Sequence, residues 1–242
     1  YGNYATISDM VDMVHYDDVI GETTELLGEQ MGETLDVIYR EILNAGTQIL
    51  YCDGGALGAT RAGVDDYLQK LHLDTAIETL DGANAKRFTT MISPTDKVST
   101  QPVAPSYWAI IHPNAVTDLY SNTNSDLTVG SDFIPVERYA SQAQVMPSEI
   151  GKYRNIRFVT STNAKTWTAA EAGGGVVVYS CLIFAKDAYG VIPLDGGNSR
   201  TIIHRAGSNT DPLNQRNTVG WKAATTAVIL NQSFIIRIEH IC

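Results

Sequence analysis

His15-Tyr16-Asp17-Asp18 places three possible metal ligands within four residues, an imidazole and two carboxylates. Zinc takes ligands of those types. Adjacent side chains on a strand or helix point apart, so the simpler reading of this run is a loop or cap before a helix. His204, Ser208 and Asp211 offer the residue types of a base, a nucleophile and an orienting acid. Such sets are defined by geometry, and local order alone does not make one. His72 falls on the apolar face of an expected helix and reads as a core histidine; His112 precedes Pro113 and can accept or donate at a helix start. His240, in an apolar strand, is expected to be partly buried or at an interface. Cys52, Cys181 and Cys242 are far apart and read as plain thiols.

The larger signatures of catalysis are missing. The chain has no G-x-S-x-G elbow, no G-x-x-x-x-G-K-[ST] loop, no H-E-x-x-H and no C-x-x-C. Gly173-Gly174-Gly175 runs into valines and brings no phosphate-binding lysine. The expectation is therefore no enzyme, no cofactor and no metal.

The elements that would carry these residues are clearer. Tyr1 to Ile7 reads as the end of a strand, and Asp17 or Asp18 can cap the helix that follows. Leu27, Met31, Leu35, Ile38 and Ile42 recur at spacings of four, four, three and four, one apolar stripe on a helix over 19–43. At 1.5 Å per residue that helix is roughly 37 Å long. Gly46 suits a left-handed stop, and Gly28 and Gly32 lie one turn apart on one face, where a close backbone contact would justify their cost. Asp53-Gly54-Gly55 opens a loop to Gly63. A second helix is expected over 65–84, with Leu68, Leu71, His72, Ala76 and Leu80 inward. Pro94, Pro102 and Pro105 mark a polar connection and a candidate domain boundary. Strands are expected at 107–111, 133–139, 156–160, 176–185, 189–194, 202–204, 219–230 and 234–241, with a short helix from Pro113 to about Ser121. Asn231-Gln232-Ser233 is either a turn or a kink in one long strand.

Size and composition suit a globular protein. The chain has 242 residues, 44% of them hydrophobic, enough for one large domain or two modest ones. No apolar run approaches the roughly 18–20 residues that span a bilayer, and no basic-then-apolar leader opens the sequence. Net charge is −10 and uneven. Residues 1–50 hold ten acids and one base, Arg40, or −9. General attraction to nucleic acid is not expected of such a chain, although it could line a container of DNA without adhering to it.

Several stretches resemble the major capsid proteins of tailed phages of the coliphage N-four type. They are Tyr1-Gly2-Asn3-Tyr4-Ala5-Thr6-Ile7-Ser8-Asp9, Leu26-Leu27-Gly28-Glu29-Gln30 and Glu33-Thr34-Leu35-Asp36 near the start. Ile110-Ile111-His112-Pro113 and Gly151-Lys152-Tyr153-Arg154-Asn155-Ile156-Arg157-Phe158 follow. The longest set is Asp187-Ala188-Tyr189-Gly190-Val191-Ile192-Pro193-Leu194, then Gly207-Ser208-Asn209-Thr210-Asp211-Pro212-Leu213-Asn214-Gln215-Arg216 and Val219-Gly220-Trp221-Lys222.

The resemblance implies an α+β chain with the Hong Kong 97-type capsid fold. That fold has a peripheral domain, with a long spine helix and a long antiparallel sheet, and an axial domain with a mixed sheet and flanking helices. On this mapping residues 1–104 hold the end of an extended loop, the spine helix and peripheral domain, 105–200 are mostly axial domain, and 201–242 return to the peripheral domain. Tyr1 then falls at the descending end of the extended loop. Assembly or structural roles are expected for Leu27, Gly28, Met31, Gly32, Leu35, Ile38 and Ile42, and for Asp211, Pro212, Asn214, Arg216 and Trp221. The stretch from Asp211 to Arg216 is expected to form a structured loop near a subunit boundary.

The function implied is a shell subunit that assembles with itself, as hexamers and pentamers, into an icosahedral head around double-stranded DNA. Portal, scaffolding or decoration proteins are further implied partners, with DNA on the inner face, no membrane, and synthesis in the bacterial cytoplasm. The alternatives are a protein nanocompartment shell and a soluble hydrolase or metalloprotein using His15 or His204. One charge problem follows from the residues themselves. The acids of the long helix need an answer, and Arg200, Arg205, Arg216, Lys222 and Arg237 are the expected source, within the subunit or across a shell interface.

Overall fold

The computed structural model describes residues 1–14, 16, 18–54, 56–88, 105–120, 132–139, 145–194, 199–205, 213 and 215–242. In chain order its first half contains β1 (Gly2–Ser8), α1 (Asp9–Val14), α2 (Val19–Leu43), β2 (Ile49–Asp53), β3 (Ala56–Gly58), α3 (Lys70–Gly82), β4 (Tyr107–Ile111) and α4 (Val116–Tyr120). Next come β5 (Phe133–Pro135), β6 (Glu149–Tyr153), β7 (Ile156–Thr160), β8 (Thr166–Trp167), α5 (Ala169–Ala172) and β9 (Val178–Phe184). The last elements are β10 (Tyr189–Pro193), β11 (Arg200–His204), β12 (Arg216–Lys222), β13 (Thr225–Ile229) and β14 (Ile235–His240). The chain divides into two compact units, residues 1–39 with 191–228, and residues 40–190 with 229–242.

In the first unit, β1, β12 and β11 form an antiparallel sheet in the order β1-β12-β11, and β10 pairs with β13. β1 alternates, and its Ala5 and Ile7 face α2 together with Val219, Trp221 and Ala223. Leu27, Met31 and Leu35 close this core from the helix. The helix starts where Asp18 supplies a cap: its Oδ1 accepts from the Gly21 amide at 3.1 Å, and its carbonyl from the Glu22 amide at 3.1 Å. α2 spans the residues that its stripe marks, and Ile38 and Ile42 are half-buried.

Two expectations about its glycines fail. A Cβ added at Gly28 or Gly32 would meet nothing within 4 Å, so no close backbone contact explains them in the subunit. Gly46 is not left-handed; the positive-φ glycines among the described residues are Gly54, Gly173 and Gly175. The helix ends instead on Asn44, whose amide and Nδ2 both donate to the Arg40 carbonyl at 2.9 Å. Gly46 is buried, and there a Cβ would lie 3.5 Å from Gln232 Oε1 and 3.6 Å from Ile235 Cγ2.

In the second unit a mixed sheet runs in the order β3-β2-β14-β9-β4-β7-β6-β5, with β8 on β9. β14 lies parallel to β2, and β4 parallel to β7, while the other pairs are antiparallel. α3 covers one core with His72, Leu73, Ala76, Ile77 and Leu80. That helix is shorter than expected, because residues 65–67 are drawn to the sheet. Asp65 Oδ1 accepts from the Gly54 amide at 2.9 Å, and Tyr67 bridges to Ile241. Leu71, expected inward, is 42% exposed. The apolar run at 219–230 is two strands, broken where Ala223 exchanges backbone bonds with Tyr1. Asn231-Gln232-Ser233 leads into a 3₁₀ turn and not a kink, with the Asn231 side chain accepting from the Ser233 amide at 3.0 Å. The run at 133–139 stops as a strand at Pro135 and continues as a 3₁₀ turn.

Burial separates the stripe residues energetically. Leu27→Ala should lower stability by about 2–5 kcal/mol, and Leu35→Ala by less because Leu35 is only half-buried. Gly28→Ala has open space on a helical backbone and should stabilise by about 0.5–1 kcal/mol. Denaturant unfolding of the three variants against the parent chain checks both signs.

Candidate assembly surface

The first unit leaves much apolar surface uncovered. On the sheet face opposite Ala5 and Ile7, Tyr4, Gly220 and Ile202 stand in one row across the three strands. Tyr4 is 74% exposed. The missing side chain at Gly220 leaves a hollow between Tyr4 and Ile202, and a Cβ there would sit 3.0 Å from Tyr4 Cβ and from the Asn3 carbonyl. The edge strands β1 and β11 each pair on one side only, so their outer backbone groups are available to another strand.

α1 adds a second surface. Met10, Val11, Met13 and Val14 are all exposed, and so is Tyr16. On α2, Leu26 is 66% exposed beside Gln30, whose Oε1 accepts from Asn3 Nδ2 at 2.9 Å. Contiguous exposed apolar side chains on a soluble fold mark a surface that something else covers.

The second unit is held by buried charge. Arg61 grips Glu239 with both arms, Nε to Oε2 at 2.6 Å and Nη2 to Oε1 at 2.8 Å. Arg237 Nε lies 2.8 Å from Glu239 Oε1, near enough for charge pairing but bent away from a hydrogen bond. Both guanidinium groups rest on the Trp167 ring, at 4.0 and 5.4 Å from its centre. Arg157 pairs with Glu149 through two bonds of 2.7 and 2.6 Å, and Tyr139 donates to the same carboxylate at 3.0 Å. These networks order the scaffold, and Arg61, Trp167 and Arg237 also line a shallow open hollow with Glu41 and Lys165.

Among the described residues of one subunit, none of the five expected bases pairs with an acid of α2. Glu41 is met by Lys165, with both contacts at 3.0 Å, and by Arg40 at 2.5 Å. Burial pushes the Glu41 carboxyl up, and the two cations more than offset that, so its pKa falls below the usual value. Arg237 serves Glu239 instead. Among the described residues Glu29 and Glu33 are exposed and make no ion pair.

The other expected residues fall in different settings. Leu27 and Trp221 are core, at 6% and 4% exposure, and the Trp221 indole N–H is buried without a partner. Arg216 is exposed on β12, paired in register with Ser8. Asp211, Pro212 and Asn214 lie outside the described residues, as do His15, Asp17 and Ser208. His204 is exposed on β11. His72 is buried, with Nε2 2.9 Å from the Ala56 carbonyl, and burial lowers its pKa. His112 Nδ1 accepts from the Asn114 amide at 3.2 Å, the helix-start role expected of it. The exposed α1 was missed, though Met10-Val11 and Met13-Val14 are an apolar pattern that could have revealed a short helix.

A model of the phage capsid protein family matches residues 1–238. The chain belongs to this phage capsid protein family. No curated protein sequence matches it. Among solved structures, this capsid protein is similar to the capsid of Ralstonia phage GP4, with a TM-score of 0.70 at 14% identity, covering 100% of this chain and 73% of that one. The head structure of Helicobacter pylori bacteriophage KHP40 gives a TM-score of 0.65 at 11% identity, covering 100% and 73%. The SrpI encapsulin of Synechococcus elongatus gives 0.54 at 10% identity, again covering 100% and 73%. At such identities the likeness shows the fold, which is α+β and of the Hong Kong 97 type. The capsid protein is thus a shell protein, and its place is the virion capsid.

The two kinds of charge pair in this shell protein should behave differently. Arg157→Ala strands a buried carboxylate, since the side chains of Arg157 and Glu149 are 7% and 0% exposed. It should cost about 3–5 kcal/mol. Lys165→Ala touches a half-exposed pair and should cost less than about 1 kcal/mol, fading with salt. The lowered Glu41 pKa makes that small contribution full above the ordinary value of 4.5 and lost as pH falls through the lowered one. Urea unfolding at two salt concentrations and across pH 3–7 would separate them.

Proposed function

We propose that this chain is a major capsid protein of the coliphage N-four type, and that copies of it close an icosahedral head around double-stranded DNA. The observation that carries the reading is the family match over 1–238 on a fold whose first unit leaves Tyr4, Leu26 and the whole apolar side of α1 uncovered. Repeated symmetric contacts between copies would cover such surfaces. In this reading α2 is the spine helix, residues 105–200 are mostly axial domain, and hexamers and pentamers are the capsomers. The chain works as a building element and not as an enzyme. The acidic, ion-pair-free stretch at Glu29 and Glu33 suits either a charged contact with a neighbour or a surface from which DNA is kept. Portal, scaffolding and decoration proteins are the further partners, and the host cytoplasm is where assembly begins.

The likeness to an encapsulin supports a second reading, a shell for protein cargo. Negative-stain microscopy of the full-length protein, followed by analysis of the contents, decides between them. Shells from infected cells with nuclease-protected double-stranded DNA support the head, and shells enclosing a protein support the compartment. A lone globular particle at every concentration would overturn both.

Met13→Asp should leave the unfolding midpoint of the subunit nearly unchanged, since Met13 is 77% exposed, while strongly reducing capsomer formation. Joint reversal of Glu29 and Glu33 to lysine should change the salt dependence of assembly. Light scattering at low and high ionic strength reads both, and assembly of both variants like the parent would remove these surfaces from the contact.

A further inference from the structure

Three side chains of the second unit come together with no role in the networks above. Asp118 stands on α4, His240 ends β14 and Cys242 follows it. Each offers one ligand atom, and these atoms lie within 4.8 Å of one another. Two observations show that the group lacks something. His240 is fully buried, at 0% exposure, and its Nε2 has no hydrogen-bond partner. Asp118 Oδ2 is also buried and without a partner. Unmet buried polar atoms are costly, and two of them beside a thiol call for a shared partner.

The surroundings fix the imidazole. Its Nδ1 lies 2.8 Å from the Ile241 carbonyl, so the neutral ring carries its proton there and Nε2 keeps a free lone pair. The Tyr179 ring stacks on it, with centres 6.3 Å apart and planes at 25°, and Asn114 Nδ2 donates to the Tyr179 hydroxyl at 3.1 Å. Cys242 Sγ is 3.9 Å from His240 Nδ1 and is exposed, which leaves a route from solvent.

We propose that Asp118, His240 and Cys242 hold a divalent cation of the zinc type, with a water as fourth ligand. The donor set decides the class of ion. A carboxylate oxygen, an imidazole nitrogen and a thiolate sulfur suit zinc, whereas calcium and magnesium call for oxygen alone. The spacing allows it: three atoms mutually within 4.8 Å share a point no more than about 2.8 Å from each, near the roughly 2.0–2.3 Å that zinc needs.

Burial raises Asp118 to about 6 and lowers His240 to about 4. Burial, with the Asp118 charge adding to it, raises Cys242 to about 12. A bound cation reverses the pressure on the acid and the thiol. On binding, the Cys242 S–H bond breaks, its proton passes to the buffer and a sulfur–metal bond forms, so affinity falls as pH falls.

The test is metal titration of the full-length protein after treatment with a chelator, using Co²⁺ and then Zn²⁺. The expected result is one equivalent of Co²⁺ per chain, with a thiolate-to-cobalt charge-transfer band that Zn²⁺ abolishes. Cys242→Ser should lose the band, and Asp118→Asn should keep it while binding at least about tenfold more weakly. Cys242 is exposed, so its serine variant should melt like the metal-free parent. Absence of the band in the parent overturns the proposal. So does a Cys242→Ser protein that binds with unchanged stoichiometry and affinity.

Discussion

β14 is buried at every residue and hydrogen-bonded on both sides, antiparallel to β9 and parallel to β2. A strand so placed must satisfy two faces at once. Ile236 and Ile238 fill the core that α3 covers, while Ile235 packs into a separate cluster with Leu43, Leu182 and Ala188. Arg237 and Glu239 share the face with Ile235, since residues two apart on a strand point the same way. A carboxylate at 0% exposure in that position is tolerable only because Arg61 reaches it with two bonds and Trp167 provides a ring for both guanidinium groups. The turn at Arg61, the short strand β8 and the β2–β14 pairing are tied to that requirement.

Much of this was legible in the sequence, for definite reasons. The helix 19–43 carries its stripe from Leu27 to Ile42, about four turns, and Asp18 marks its start. β4 and β7 are dense in branched and aromatic residues and sit between turns. Other features could not be read. Ile49–Asp53 contains a tyrosine, a cysteine and an aspartate, and becomes a strand because β14 is beside it. Glu149–Tyr153 carries a glutamate and a lysine, and its glutamate points inward because Arg157, two residues from its register partner Val159 on the neighbouring β7, meets it there. Residues 65–67 look helical by pattern, but their backbone is taken by the sheet edge. Local propensity yields wherever a long-range partner offers a better bond.

The residues expected to serve assembly fall in different settings of the subunit. Trp221 was readable as important, and the fold gives it a core position beneath α2. The pattern in α1 is too short for a periodicity argument, yet it holds four exposed apolar side chains, Met10, Val11, Met13 and Val14. Gly28 and Gly32 invite a contact that the subunit does not contain. A shell subunit differs here from an enzyme, because its decisive surface stays unfinished until another copy arrives.

The three thiols have a consequence of another kind. Cys52 and Cys181 are buried, out of reach of a dissolved oxidant. Cys242 alone of the three is exposed. A shell in aerated water therefore meets oxygen and peroxide with two of its three thiols out of reach. Whatever ageing the particle undergoes by sulfur oxidation of cysteine must begin at that single position on each copy, and a ligand occupying the sulfur there would slow it.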